Sequence, residues 1–103
     1  MIDIEIKKEG KVFTFLLKGR LNSDVSLDVK TKIAEHEKDA DLIVLDFAEL
    51  EYVSSAGLRV VLELYKEMKA LNKSITLTNV SQDNMEILES TGLSKFINIQ
   101  NWL

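Results

Sequence analysis

The chain has 103 residues, of which 46% are hydrophobic and 29% charged, so we expect one soluble domain with a single core over residues 1–103. The absence of cysteine excludes disulfides, thiolate metal ligands and a cysteine nucleophile, and the one histidine excludes a multi-histidine metal centre. The formal net charge of −4 argues against an electrostatic nucleic-acid binder, which usually carries a clustered basic face.

The first residues predict an antiparallel hairpin and carry no export signal. Ile2, Ile4 and Ile6 alternate with acidic residues, as in a half-buried strand, and a turn at Gly10 leads into a more apolar strand over residues 12–17. The start lacks the basic and then apolar pattern of a signal peptide, and no apolar run reaches the ~20 residues of a membrane span. We therefore expect a cytoplasmic protein with no membrane partner.

After the hairpin, the pattern predicts a helix and then a strand. Apolar residues at four-residue spacing indicate a helix over residues 25–33, and Ser23 or Asp24 is predicted to cap its start. The short apolar run over residues 42–45 predicts a central parallel strand that ends at Asp46.

The second half of the chain continues this alternation. An apolar stripe at three- and four-residue steps predicts a helix over residues 55–71, followed by a strand over 75–78. A third helix is predicted between the cap Ser81 and Gly92, and a last strand over residues 96–99. The order β-β-α-β-α-β-α-β predicts the α/β class, with a mixed sheet that begins as an antiparallel hairpin, continues in parallel strands and carries packed helices.

The stretch Tyr52-Val53-Ser54-Ser55-Ala56-Gly57-Leu58-Arg59 places two hydroxyls where a strand meets the second predicted helix. If Ser54 caps this helix, Ser55 is its first residue and presents a free hydroxyl at the positive end of the helix dipole. The alternative is that both serines are plain caps. Gly57 costs roughly 1 kcal/mol relative to alanine in a helix. It therefore either lets another protein approach closely or packs tightly on the sheet, and the residues alone leave both explanations open.

Other kinds of chemistry have weak support in the sequence. Ser55 lacks the preceding glycine of a nucleophile elbow, and His36, in a charged stretch, is predicted to be solvated rather than a general base. No glycine-rich phosphate-binding motif is present. Four scattered carboxylates have oxygen ligands for a hard cation but are more often solvated: Asp24, Asp41, Asp46 and Glu49. We therefore predict no catalytic residue, no cofactor and no metal.

The element order and the motifs together resemble the STAS domain family, and more specifically its stand-alone bacterial anti-sigma factor antagonists. Residues 19–22 are similar to the family's loop after the second strand, and residues 42–47 to its central strand. Residues 53–58 look like its phosphorylation motif, Asp-Ser-Ser/Ala-Gly-Leu in many members, and residues 91–97 are similar to its C-terminal end. The resemblance therefore covers nearly the whole chain.

The resemblance implies a phosphorylation switch at Ser55. In such proteins the matching serine is phosphorylated by a partner kinase that is also the anti-sigma factor. The unphosphorylated form binds this partner and releases sigma, and a serine phosphatase resets the phosphorylated form. Ser54 and Asn22 stand where many members have aspartate, so two acidic groups are missing beside Ser55. The implied partner-binding residues are Asn22, Ser23, Asp24, Ser54, Ala56, Gly57, Leu58, Arg59 and Glu63.

Two alternatives to the switch remain. The first is a STAS interaction module without a phosphorylation cycle, in a transporter or a stress-signalling assembly, in which Ser55 is a plain cap. The second is a minimal hydrolase that uses Ser55, against which the missing base argues. A monomer or weak dimer is expected, because the edge of the first strand is exposed and Trp102 and Leu103 either dock on the core or form an apolar patch.

Overall fold

The computed structural model describes residues 2–101 and shows five strands, three α-helices and one 3₁₀ turn in that range. The predicted element order is confirmed. The elements are β1 (Ile2–Glu9), β2 (Val12–Leu21), α1 (Ser26–Ala34), β3 (Leu42–Val53), α2 (Ser55–Ala70), β4 (Ser74–Thr78), α3 (Gln82–Ser90), the 3₁₀ turn (Leu93–Lys95) and β5 (Asn98–Gln100).

The five strands form one mixed sheet in the order β1-β2-β3-β4-β5. β1 is antiparallel to β2, and every later pair is parallel, as the sequence predicts. Alternate residues of the inner strands are fully buried on one face of the sheet, among them Phe15, Ile43 and Leu77. Because β2 and β3 are parallel, Leu21 pairs with Val53 at their carboxyl ends. The loop after β2 and the motif after β3 therefore lie side by side.

Strand β3 is longer than predicted, because it continues past Asp46 to Val53. Its burial alternates up to Phe47 and then recurs every third residue, at Leu50 and Val53. This change of period accompanies two shifts of register between β2 and β3, where the strands bulge. A simple alternation test stops at such a bulge and so misses the second half of the strand.

The prediction that Ser23 or Asp24 caps α1 is wrong. The N-cap is Val25, which makes no side-chain capping hydrogen bond. Instead, the Asn22 Oδ1 atom accepts a hydrogen bond from the Asp24 backbone N–H at 3.0 Å, and the Asn22 carbonyl accepts one from the Ser26 N–H at 3.1 Å. The polar residues therefore form a turn that leads into the helix, a use that competes with capping for the same residue types.

The C-terminal part of the described chain differs from the prediction in one respect. Ser81 caps α3 as expected, since its Oγ atom accepts a hydrogen bond from the Asn84 N–H at 3.2 Å, and Gly92 follows the helix with φ of 81°. The last strand is Asn98–Gln100, so Phe96 lies before it and is 65% exposed. The predicted docking or exposure of Trp102 and Leu103 falls outside the described residues. Between residues 2 and 101, none of the helices has the length and apolar character that crossing a bilayer requires.

His36 packs against aromatic rings instead of being solvated as predicted. Its ring centroid lies 5.7 Å from that of Phe13 and 5.6 Å from that of Phe15, and the residue is half-buried. Both phenylalanines belong to the first half of β2, whereas Ser55 follows the carboxyl end of the parallel strand β3. The histidine and the serine motif therefore lie at opposite ends of the sheet.

Two carboxyl groups meet between the turn after α1 and helix α2. The Glu37 Oε2 and Glu67 Oε1 atoms are both buried, and neither accepts a hydrogen bond from another group within residues 2–101, so a proton on one of the two carboxyl groups would supply the missing donor. Burial, followed by the neighbouring Glu67, raises the pKa of Glu37 to about 7, whereas the hydrogen bond from Glu37 lowers the pKa of Glu67. Lys30 Nζ lies 2.9 Å from Glu67 Oε2, and Lys73 Nζ donates to the Glu37 carbonyl at 2.7 Å. A protonated Glu37 therefore donates to an ionised Glu67.

This pair predicts that Glu37→Gln flattens the dependence of stability on pH. In the folded protein Glu37 keeps its proton up to about pH 7, whereas in the unfolded chain its carboxyl group loses the proton near its ordinary pKa of 4.5. The stabilisation from the protonated Glu37 is therefore complete below pH 4.5 and is lost as the pH rises to about 7. The glutamine amide of the variant donates the same hydrogen bond and has no proton to lose. We expect the variant to be more stable than wild type at pH 8 by on the order of 1 kcal/mol, after allowing for partial exposure.

Thermal unfolding at pH 5 and pH 8 measures this effect, and a gain of that size corresponds to about 4–8 °C in Tm for a domain of this length. The exposed Glu35→Gln in the same turn is the matched control, and its pH dependence should follow that of wild type. Equal pH slopes for Glu37→Gln and wild type would contradict the assignment of the shared proton. The ionised Glu67 has the opposite dependence, because its contribution is lost as pH falls through its lowered pKa.

Candidate functional site

Ser54 and Ser55 have separate positions at the start of α2. Ser54 is the N-cap, with extended backbone angles, and its Oγ atom accepts a hydrogen bond from the Gly57 N–H at 3.1 Å. Ser55 is the first helical residue and is exposed, and no hydrogen bond of its hydroxyl is found within residues 2–101. The prediction that Ser54 caps the helix is confirmed, and the Ser55 hydroxyl is accessible at the positive end of the helix.

Gly57 is buried and packs directly on the end of β2. A Cβ atom at this position would lie 2.7 Å from the Leu21 carbonyl oxygen, 2.8 Å from Leu21 Cγ and 3.0 Å from Val53 Cγ2. The Leu21 carbonyl is itself held in place, because it accepts a hydrogen bond from the Ser54 N–H at 2.9 Å. Of the two explanations that the sequence left open, tight packing on the sheet is therefore the correct one. Gly57 does not keep the approach to Ser55 clear.

An apolar groove of about 220 Å³ begins at Ser55 and runs along one flank of α2. Its far wall comes from the segment after α3, and Phe96 stands on that wall with its ring largely exposed. The residues that line it are Ser55, Leu58, Arg59, Leu62, Thr91, Leu93 and Phe96. The tertiary structure therefore places an apolar surface directly beside the hydroxyl, and Ser55 forms part of its rim.

The structure divides the predicted partner-binding residues into those on the surface near Ser55, those buried beneath it and one, Glu63, that faces away from the groove. Asn22, Ser23 and Asp24 form the turn beside the motif, because β2 and β3 end together. Ser54 and Ala56 are half-buried and Arg59 is exposed on the groove. Leu58 is only 6% exposed and lies in the floor of the groove, so together with Gly57 it supports the surface from below.

Glu63 points to the other side of α2. Its carboxylate lies 3.8 Å from Lys30 Nζ on α1, and the same ammonium contacts Glu67. The hydrogen bond that Lys30 donates to Glu67 raises the pKa of Lys30, with desolvation acting against it. Glu63 therefore belongs to the seam between α1 and α2, away from the groove that Ser55 borders.

The sequence pattern does not single out two features, the Arg20–Tyr52 pair at the carboxyl ends of β2 and β3 and the exposed Phe96 on the groove. Arg20 lies opposite Tyr52 in the β2–β3 pair, and its guanidinium stands 4.6 Å from the centre of the exposed Tyr52 ring. Phe96 is predicted to begin the last strand, but it precedes β5, and its exposed ring lines the groove. The Arg20–Tyr52 pair had no sequence signal, because its members are far apart in the chain and the register alone joins them.

The carboxylates proposed as cation ligands do not converge. Asp46 is engaged within the fold, since one carboxylate oxygen accepts hydrogen bonds from the Ala48 N–H at 2.9 Å and from Asn79 Nδ2 at 3.0 Å. Over residues 2–101, no group of three or more histidine, cysteine or acidic side chains has the arrangement of a metal site. The site contains the exposed Ser55 hydroxyl, the exposed Arg59 side chain and the apolar groove, which together suit recognition by another protein.

Comparison with known proteins places this arrangement in a family. The STAS domain family model matches residues 3–103, and the chain belongs to that family. The protein BtrV of Bordetella bronchiseptica is 30% identical over 86 residues, covering 82% of this chain and 74% of its own. An anti-sigma-B factor antagonist of Listeria monocytogenes is 26% identical over 102 residues, covering 97% and 90% respectively.

Solved structures of the anti-sigma factor antagonist SpoIIAA share the fold. The unphosphorylated form superposes with a TM-score of 0.85 at 18% identity, covering 98% of this chain and 89% of the other. The phosphorylated form of SpoIIAA, a Bacillus cell fate determinant, gives a TM-score of 0.79 at 18% identity, covering 98% and 92%. At such identity the likeness establishes the mixed-sheet architecture alone.

Proposed function

We propose that this protein is an anti-sigma factor antagonist that binds an anti-sigma factor and is switched off by phosphorylation of Ser55. The observation that carries the proposal is the exposed Ser55 hydroxyl at the first position of α2, on the rim of an apolar groove. The names of the Listeria relative and of the structurally similar SpoIIAA of Bacillus support the class of partner. In this proposal the protein acts in the cytoplasm as a non-enzymatic regulator; its one histidine, His36, lies at the far end of the sheet from Ser55.

The unphosphorylated protein binds through a surface made by three segments. The turn at residues 22–24, the start of α2 with Arg59 and the wall around Phe96 face solvent around Ser55. Apolar residues at the centre and polar residues at the rim are the usual anatomy of a protein interface. The partner is therefore expected to insert an apolar side chain into the groove and to leave the Ser55 hydroxyl at its edge.

Phosphorylation would block this surface without unfolding the helix. The partner kinase would transfer the γ-phosphoryl group of ATP to Ser55 Oγ, releasing ADP and the hydroxyl proton, and would add about −1.5 to −2 charges. At the first position of a helix that charge is favourable by roughly 0.3–1 kcal/mol, so α2 is expected to remain intact. The dianion would instead stand at the rim of an apolar groove, where closing the interface would strip its water. A serine phosphatase would restore the binding form.

The proposal is tested by incubating the chain with its cognate anti-sigma factor kinase and ATP, and then weighing it. We expect wild type to gain one phosphate group and Ser55→Ala to gain none. Ser54→Ala is the matched control, because it removes the neighbouring hydroxyl. It also removes a helix cap worth about 1 kcal/mol of stability, and it should leave phosphorylation of Ser55 intact. Binding of the kinase without any gain of mass would contradict the switch and favour an interaction module that has no phosphorylation cycle.

A further inference from the structure

The outer edge of β1 is an unpaired strand edge eight residues long. β1 hydrogen-bonds to β2 on one side, and no strand lies on its other side within residues 2–101. The opposite edge strand, β5, has three residues, and the next residue, Asn101, is anchored to the Val80 backbone by two hydrogen bonds. A long edge presents unpaired N–H and C=O groups that another strand can use. β1 is therefore the edge that is open to pairing.

One face of β1 is apolar and incompletely covered. Ile2 and Ile4 pack against the core and line a groove of about 400 Å³ together with Val25, the N-cap of α1, and with apolar and charged residues of that helix, among them Val29 and Lys32. Ile6 continues the same row of the strand but is 44% exposed. The apolar row therefore extends beyond the part that the rest of the molecule covers, and the side chains of a second strand paired with β1 would continue this row.

The charges on the other face of β1 are ordered along the strand. Asp3 and Glu5 occupy the first half, and Lys7 followed by Glu9 the second, all on one side of the sheet because side chains alternate. In an antiparallel pair of two copies centred near the middle of the strand, Lys7 of each copy can lie opposite an acidic residue in the first half of the other. The edge is therefore complementary to itself, unlike an edge that repels a second copy with charges of one sign.

We propose that two copies of this chain associate through antiparallel pairing of their β1 edges, about a twofold axis at Glu5, to form one continuous sheet. In this register Asp3 lies opposite the partner's Lys7, and Ile4 lies opposite the partner's Ile6. Each Glu5 at the axis is neutralised within its own molecule by a salt bridge to Lys18. Because each copy uses its one open edge, the pairing closes as a dimer and does not propagate.

Neighbouring registers are less favourable. A shift by two residues in one direction sets Asp3 opposite the partner's Glu5, and a shift in the other direction sets Asp3 opposite the partner's Glu9. The first places only like charges across the pair among residues 2–9, which is destabilising. The second sets two repulsive Asp3–Glu9 pairs against two attractive Glu5–Lys7 pairs, so it gains no net attraction, whereas the register centred on Glu5 has two attractive Asp3–Lys7 pairs. A shift by a single residue would turn the apolar row to the wrong face of the sheet. The charge order of β1 thus selects the register centred on Glu5.

The test is a charge exchange measured by sedimentation velocity over a range of concentrations at low salt. Asp3→Lys alone sets lysine opposite the partner's Lys7, and Lys7→Asp alone sets aspartate opposite the partner's Asp3. We expect each variant to self-associate about tenfold more weakly than wild type, since two symmetry-related pairs change from attraction to repulsion. An equimolar mixture of the two variants restores both pairs and should form a heterodimer of at least wild-type affinity.

Two controls carry the same changes of charge away from the edge. The exposed Glu86→Lys and Lys66→Glu should leave self-association at the wild-type level, alone and mixed. Circular dichroism and Tm establish that every variant is folded. A wild type that stays monomeric at all concentrations, or a mixture of Asp3→Lys and Lys7→Asp that forms no heterodimer, would overturn the proposal. The measurement uses neither a kinase nor Ser55, so its outcome is independent of the proposed switch.

Discussion

The Ser55→Asp variant is expected to bind the anti-sigma factor about 100-fold more weakly than wild type, whereas Ser55→Ala should bind about as tightly as wild type. Ser55 stands on the rim of the apolar groove beside α2, so a carboxylate at this position enters the interface where the partner excludes water. An unpaired charge in such a setting costs several kcal/mol, and about 2.7 kcal/mol corresponds to that factor. Isothermal titration calorimetry with the purified partner measures both values.

A matched control separates the position of the charge from the charge itself. Ser54→Asp adds the same charge one residue earlier, where aspartate is also a favourable N-cap and can accept the hydrogen bond from the Gly57 N–H. Ser54 is half-buried and outside the groove lining, so we expect a loss of less than tenfold. Equal losses for Ser54→Asp and Ser55→Asp would mean that the partner responds to the net charge of this region. Undiminished binding of Ser55→Asp would rule out a switch at this hydroxyl.

The Gly57→Ala variant is expected to be less stable than wild type by about 1–3 kcal/mol, although alanine is the better helix former. In an unobstructed helix the same change would stabilise by up to about 1 kcal/mol, so the sign of the effect identifies the cause. The added Cβ would lie 2.7 Å from the Leu21 carbonyl oxygen, which the Ser54 N–H holds in place. The helix start must then move away from β2. Chemical denaturation at a fixed pH measures the free energy of unfolding.

Gly10→Ala serves as the comparison for this variant. An added Cβ there has no neighbour within 4 Å, but the backbone has φ of 60°, so the cost is conformational and close to about 1 kcal/mol. Gly57→Val should cost more than Gly57→Ala, because a larger side chain meets the same backbone oxygen. A stabilised Gly57→Ala would show that α2 can shift freely on the sheet and would contradict the tight packing of Gly57 on Leu21.

Among the residues of the motif, those whose role depends on local chemistry were predictable. Ser54 is an N-cap because a serine before an apolar stripe supplies an oxygen to the first free N–H groups, and this needs only neighbouring residues. Ser23 and Asp24 have the same local chemistry, yet a turn centred on Asn22 uses the backbone groups that a cap would take. Where two local structures compete for one donor, the surrounding fold decides between them.

The sequence by itself determined the order of elements, the antiparallel hairpin, the parallel strands that follow it and the exposed first position of α2. These depend on periodicity, turn residues and chain connectivity, which are local properties. Only the tertiary structure decided that Gly57 packs on Leu21, that Glu63 faces Lys30 and that Phe96 stands across the groove from Ser55. Each of these joins segments far apart in the chain, through strand register and helix packing that no single segment encodes.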